Sequence, residues 1–129
     1  MLSLLLAASA AVQPAPVTAP TPAPMMIFFD SGGKEIRKEW EPVLDEAAKA
    51  AAAGSRLRIV GHSDRSGSAS GNRRTSLERA RVVADALVAR GVAVATLTVE
   101  GQGEDNPFLP TADGVREIQN RRVDISPDR

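Results

Sequence analysis

Asp64 and Arg79 are the two residues whose types and setting offer binding chemistry in this chain. Asp64 follows an apolar segment, within Gly61-His62-Ser63-Asp64-Arg65-Ser66-Gly67. The C-terminal end of a strand is where open α/β sheets commonly place ligands. Arg79 lies on a helix expected from Asn72 to Arg90, where Asn72, Ser76 and Arg79 recur at i, i+4 and i+7 and form one polar stripe. That stripe is near the helix N-terminus, where free N–H groups and the helix dipole favour an anion. A carboxylate and a guanidinium facing one cleft admit two readings. They pair with each other and contribute little, as surface ion pairs do. Or they stay apart and trap a zwitterion, Asp64 taking an ammonium and Arg79 clamping a carboxylate in two-pronged fashion. Thirteen arginines against three lysines suit the second reading, because the planar fork matches a carboxylate. Spacing alone does not choose between them.

Other chemistries are narrower. His62, Ser63 and Asp64 are the residue types of a hydrolytic triad, but consecutive strand residues alternate faces and cannot assemble one. His62 is therefore expected to be structural, and the chain non-catalytic. With no cysteine and a single histidine, no cysteine-bound or multi-histidine metal site is available. No metal or organic cofactor is expected. Sixteen basic and sixteen acidic residues cancel, and Glu78 and Asp85 interrupt the arginines at 73, 74, 79 and 81. With aromatic residues at 3%, nucleic-acid binding is not expected either.

The elements that must position Asp64 and Arg79 follow from periodicity. Residues 25–29 form an apolar run that suits a buried strand, closed by Asp30-Ser31-Gly32-Gly33. A helix is expected over 38–53, with Trp40, Val43, Leu44, Ala47, Ala48 and Ala51 at three-to-four spacing and Pro42 in its first turn. Residues 56–61 alternate as a strand. On the following helix, Leu77, Ala80, Ala84, Leu87 and Val88 fall within an arc of about 100° and form the expected core face. A strand over 97–101, a short helix near 114–119 and a strand over 121–126 complete the pattern. Strand–helix–strand–helix–strand–strand is an α/β two-layer sandwich, with a mixed sheet packed on helices.

Not all of the 129 residues belong to that domain. Residues 1–29 carry no ionisable side chain. Residues 1–12 are Leu/Ala-rich, end near Ala8-Ser9-Ala10, and read as a signal-peptide core and cleavage site without the usual positive n-region. Residues 13–24 hold five of the nine prolines and read as an extended spacer. The folded domain is expected over 25–129. No apolar run approaches 18 residues, so no membrane-spanning helix is expected.

The motifs together resemble the OmpA-like peptidoglycan-binding domain, also found at the C-terminus of peptidoglycan-associated lipoproteins and flagellar-motor stator subunits. The resemblance rests on Phe28-Phe29-Asp30-Ser31, on Gly61-His62-Ser63-Asp64 with Gly67, and on Asn72 with Ser76-Leu77-Glu78-Arg79-Ala80. It continues through Gly101-Gln102-Gly103-Glu104 with Pro107, and ends at Asn120-Arg121-Arg122-Val123-Asp124-Ile125. It implies that Asp64 and Arg79 grip the ammonium and carboxylate of diaminopimelate in a peptidoglycan stem peptide. It further implies that Asn72 and Ser66 hydrogen-bond the ligand and that Asp30 and Arg121 line the same groove. The location implied is the periplasm, with an exported protein tethered to the cell wall. Departures from the family pattern are Ser63 for threonine, Thr75 for leucine, Gln102 for an aromatic residue and Gly71 for tyrosine. They leave open an alternative in which the same fold serves protein–protein contacts in an envelope assembly.

Overall fold

The computed structural model describes residues 25–128, so the expected leader and proline-rich spacer lie outside the described residues. Strand β1 spans Met25–Phe28, and helix α1 spans Glu41–Ala52 after a 3-10 turn at Lys38–Trp40. Strand β2 spans Arg56–Gly61, helix α2 Ala69–Ala89, strand β3 Leu97–Gly101 and strand β4 Arg122–Asp128. The sheet order is β1-β4-β2-β3. Strand β4 runs antiparallel between β1 and β2, and β3 is parallel to β2. The expected α/β two-layer sandwich is therefore the observed one.

One sheet face carries Ile27, Leu57, Ile59, Val123 and Ile125, each no more than 3% exposed. Leu44 and Ala47 of α1 and Ala80, Val83 and Leu87 of α2 close over that face. Fully burying a large aliphatic side chain stabilises by roughly 1.5–3 kcal/mol, so this layer dominates the stability of the domain. The opposite face carries Arg58, which bonds Glu100 on the neighbouring strand at 2.7 Å. Pro42 falls in the first turn of α1, where its missing N–H has no intrahelical partner to lose.

Three expectations need correcting. Helix α2 begins at Ala69, not Asn72, because the Ser68 side chain caps it by accepting from the Gly71 N–H at 3.1 Å. The expected helix near 114–119 reduces to a 3-10 turn at Ile118–Asn120. The buried face of α2 is also rotated. Val83 is fully buried while Val88 is 38% exposed, and Asn72, Ser76 and Arg79 lie on the core face instead of beside it.

That rotation has a cause in the sheet. A Cβ on Gly61 would lie 1.8 Å from the Ser76 carbonyl oxygen, and one on Gly101 would lie 2.5 Å from the Leu77 backbone nitrogen. Two strand-end glycines thus let the helix backbone rest directly on the sheet. Ser76 completes the junction, accepting from the Gly103 N–H at 2.9 Å and donating to the Arg73 carbonyl at 2.8 Å.

Candidate functional site

Strands β1 and β2 run in the same direction, so the segments leaving their C-terminal ends emerge together. The N-terminal half of α2 and the segment entering β4 meet them there. Between these four pieces lies a cleft of about 320 Å³, lined by Ser31 and Gly32, Ser63 to Gly67 in part, Asn72, Thr75 and Arg79, and Arg116 and Arg121.

Asp64 forms the cleft's acidic centre and is 3% exposed. Its Oδ1 accepts from the Ser66 hydroxyl at 2.5 Å and the Ser66 N–H at 3.2 Å. Its Oδ2 accepts from Arg121 Nη1 at 2.9 Å and from the Glu117 N–H at 3.1 Å. Burial pushes the Asp64 carboxyl up, but the bonds from Ser66, Arg121 and Glu117 outweigh it and hold the group below the usual carboxylate range. Four donors fill the four acceptor positions a carboxylate offers.

Arg79 is 2% exposed, yet it makes no salt bridge among the described residues. Its Nε donates to the Gly33 carbonyl at 2.9 Å and its Nη2 to the Asp30 carbonyl at 3.2 Å. The guanidinium also rests 5.5 Å from the centre of the Phe29 ring. Burial and the nearby Arg121 charge depress its pKa, and Asp64 opposes them. An arginine stays protonated regardless. Nη1 has no hydrogen-bond partner among the described residues, so Arg79 is fixed by main-chain carbonyls while one end of its fork stays available.

Of the expected site residues, Asp64, Arg79, Asn72, Ser66 and Arg121 come together around this cleft. Asn72 is buried, and its Nδ2 donates to Glu104 at 3.4 Å. Asp30 differs: its carboxylate lies outside the lining and accepts from Arg37 at 3.1 Å, while only its carbonyl serves the site by holding Arg79. The surface-pair reading of Asp64 and Arg79 also does not describe the molecule, since Arg121 takes the carboxylate.

Arg116 lines the cleft too, and nothing in its local sequence marked it. It lies in a non-repeating loop, where periodicity carries no signal. Among the departures from the family pattern, only Ser63 and Thr75 line the cleft. Gln102 instead donates to Glu100 at 2.8 Å and accepts from Asn106 at 2.7 Å. His62 projects to the other face of β2, where its Nε2 is 3.1 Å from Asp124. Among the described residues no group of acidic, histidine or cysteine side chains could hold a metal ion, and no helix is long and apolar enough to cross a membrane.

Comparison with known proteins gives four findings. The model of the OmpA family matches residues 28–121. An outer membrane protein of Gluconacetobacter diazotrophicus is 35% identical over 116 residues, covering 83% of this chain and 31% of that protein. The peptidoglycan-binding protein ArfA of Mycobacterium tuberculosis is 37% identical over 99 residues, covering 76% of this chain and 30% of that protein. The chain thus spans about a third of the length of the curated relatives it matches. In fold, it superposes on the peptidoglycan-associated lipoprotein of Burkholderia pseudomallei with a TM-score of 0.72 at 24% identity, over 78% of this chain and 86% of that one.

Proposed function

The chain belongs to the OmpA family, and from that membership and the cleft we propose that its folded domain is a non-catalytic module that binds peptidoglycan. The group gripped is the free end of diaminopimelate in an uncrosslinked stem peptide, which carries one ammonium and one carboxylate. The reading places the domain in the periplasm, tethering an exported protein to the wall. Support comes from the name of the ArfA relative and from the chemistry of the cleft.

The observation that carries it is the separation of two buried opposite charges within one cleft. Arg79 is held by carbonyls with Nη1 unpartnered, ready to receive a carboxylate. Asp64 receives the ammonium on Oδ1. Of the four donors on Asp64, only the Ser66 hydroxyl can leave by rotating about one side-chain bond. The other three are two main-chain N–H groups and an ion pair. On binding, the Ser66 hydroxyl gives up Oδ1 to the ammonium and turns toward the ligand. The Asn72 amide on the same wall is a neutral partner, and Arg121 keeps Asp64 ionised and aimed.

The test is co-sedimentation of the full chain with insoluble peptidoglycan, with Asp64→Ala and Arg79→Ala alongside and free diaminopimelate as competitor. Binding that is lost in both variants and displaced by diaminopimelate supports the reading. A wild-type chain that stays in the supernatant overturns it and directs attention to protein partners in the envelope.

A further inference from the structure

The cleft is more basic than a zwitterion requires. Three guanidinium groups line it, those of Arg79, Arg116 and Arg121, against the single carboxylate of Asp64. Arg121 is already spent, donating to Asp64 at 2.9 Å and to the Phe29 carbonyl at 3.0 Å. Arg79 keeps Nη1. Arg116 has no hydrogen-bond or salt-bridge partner among the described residues, although acidic side chains lie close by in the fold. Glu104 and Asp113 turn to Arg65 instead, and the Glu117 carboxylate accepts from the Gln119 N–H at 3.2 Å.

The backbone around Arg116 is nevertheless fixed on both sides. The Gly114 N–H donates to the Arg65 carbonyl at 2.9 Å, and the Glu117 N–H to Asp64 Oδ2 at 3.1 Å. Gly114 takes φ of 80°, a turn conformation open to glycine at no steric cost. The loop is therefore tied to the same carboxylate that centres the cleft, with one unpartnered cation held at the rim. Arg79 is nearly inaccessible and marks the floor, whereas Arg116 is exposed and marks the mouth.

A ligand end with one ammonium and one carboxylate brings no net charge and leaves the rim cation unanswered. We infer that Arg116 is a specificity residue that receives a second carboxylate of the stem peptide, that of the glutamate preceding diaminopimelate. This rests on the wall-binding reading and extends it. The glutamate carboxylate is the one to expect, because it lies outward from the gripped end and stays free whether or not the stem continues past diaminopimelate. The cleft then discriminates stems whose glutamate carboxylate is free from stems in which it is amidated.

The experiment is calorimetric titration of the full chain with two soluble probes. One is the tripeptide L-alanyl-γ-D-glutamyl-meso-diaminopimelate, and the other is its D-isoglutamine counterpart. Wild-type protein is expected to bind the free acid about tenfold more tightly, the scale of one charge-assisted hydrogen bond. Arg116→Gln, at an exposed side chain without partners, is expected to bind both probes with the affinity wild type shows for the amide. Equal wild-type affinity for the two probes overturns the inference while leaving wall binding intact. So does undiminished discrimination in Arg116→Gln. Wild-type protein that binds neither probe overturns the wall-binding reading, and this inference with it.

Discussion

Arg121, not Arg79, holds Asp64: its Nη1 lies 2.9 Å from Asp64 Oδ2, and both side chains are largely buried, at 11% and 5% exposure. The pair joins the end of β2 to the start of β4. It also leaves Arg79 free of any carboxylate among the described residues, so the two opposite charges stay separate within the cleft. On the proposed wall-binding reading, Arg121 acts on the ligand through Asp64.

Breaking this pair should cost more than losing both partners suggests. Asp64→Ala and Arg121→Ala are each expected to lower the unfolding free energy by about 3–5 kcal/mol, because each strands a buried charge. The double variant should lose clearly less than the sum, which urea unfolding of all four proteins will measure. Simple additivity would mean the two groups are not energetically coupled.

Arg79→Lys separates charge from geometry. Lysine keeps the cation but lacks the fork that reaches two carbonyls and presents a third nitrogen. Co-sedimentation with peptidoglycan is expected to weaken at least about tenfold, matching the loss of one charge-assisted bond. Retention of wild-type affinity would show that only net charge matters at the cleft floor.

Acid should destabilise the domain in a defined direction. Hydrogen bonds hold Asp64 below its unfolded value, and Asp124, which burial pushes up, is brought below it by bonds and charge from His62 and Arg122. Below the unfolded carboxyl pKa of about 3.9, the unfolded chain binds more protons than the folded one. Stability is therefore full above that value and falls as pH drops through the folded pKa. Urea midpoints between pH 6 and pH 3 should show the decline, and Asp64→Asn should flatten part of it. A midpoint independent of pH over that range would contradict the assignment.

How much of this was legible beforehand depended on whether the signal was local. Apolar periodicity located all four strands and both helices, because Leu57 and Ile59 or Leu44 and Ala47 report their own faces. The sequence pattern starts α2 three residues late, since Gly71 reads as a loop while Ser68 caps beyond it. Its core face escapes the pattern because hydrophobicity cannot anticipate a buried polar stripe of Asn72, Ser76 and Arg79 over glycine-ended strands. The resemblance puts Arg121 in the same groove as Asp64, but nothing in the sequence shows that the two bond each other. Arg121 lies 57 residues further along, and only the insertion of β4 beside β2 brings it there. The resemblance marks Asp30 as a groove residue, but the groove uses its carbonyl, a group every residue possesses.

The close seat of α2 on the sheet gives the last prediction. A methyl group at Gly61 would lie 1.8 Å from the Ser76 carbonyl oxygen, a backbone atom that no side-chain rotation can remove. Helix and sheet must separate to admit it, which also breaks the Ser76 hydroxyl's bond to the Gly103 N–H. Overpacking of this kind costs typically 1–3 kcal/mol, and a main-chain clash belongs at or above the upper end. Gly61→Ala is therefore expected to lose about 3 kcal/mol or more. Gly91→Ala, whose added Cβ meets nothing within 4 Å but whose φ is 94°, should lose only the strain of that backbone conformation, about 1–2 kcal/mol. Because Asn72 and Arg79 ride on the displaced half of α2, Gly61→Ala that still folds should also bind the wall more weakly, while Gly91→Ala should not. Equal losses at the two glycines would show that conformational strain, not helix–sheet contact, explains why position 61 needs glycine.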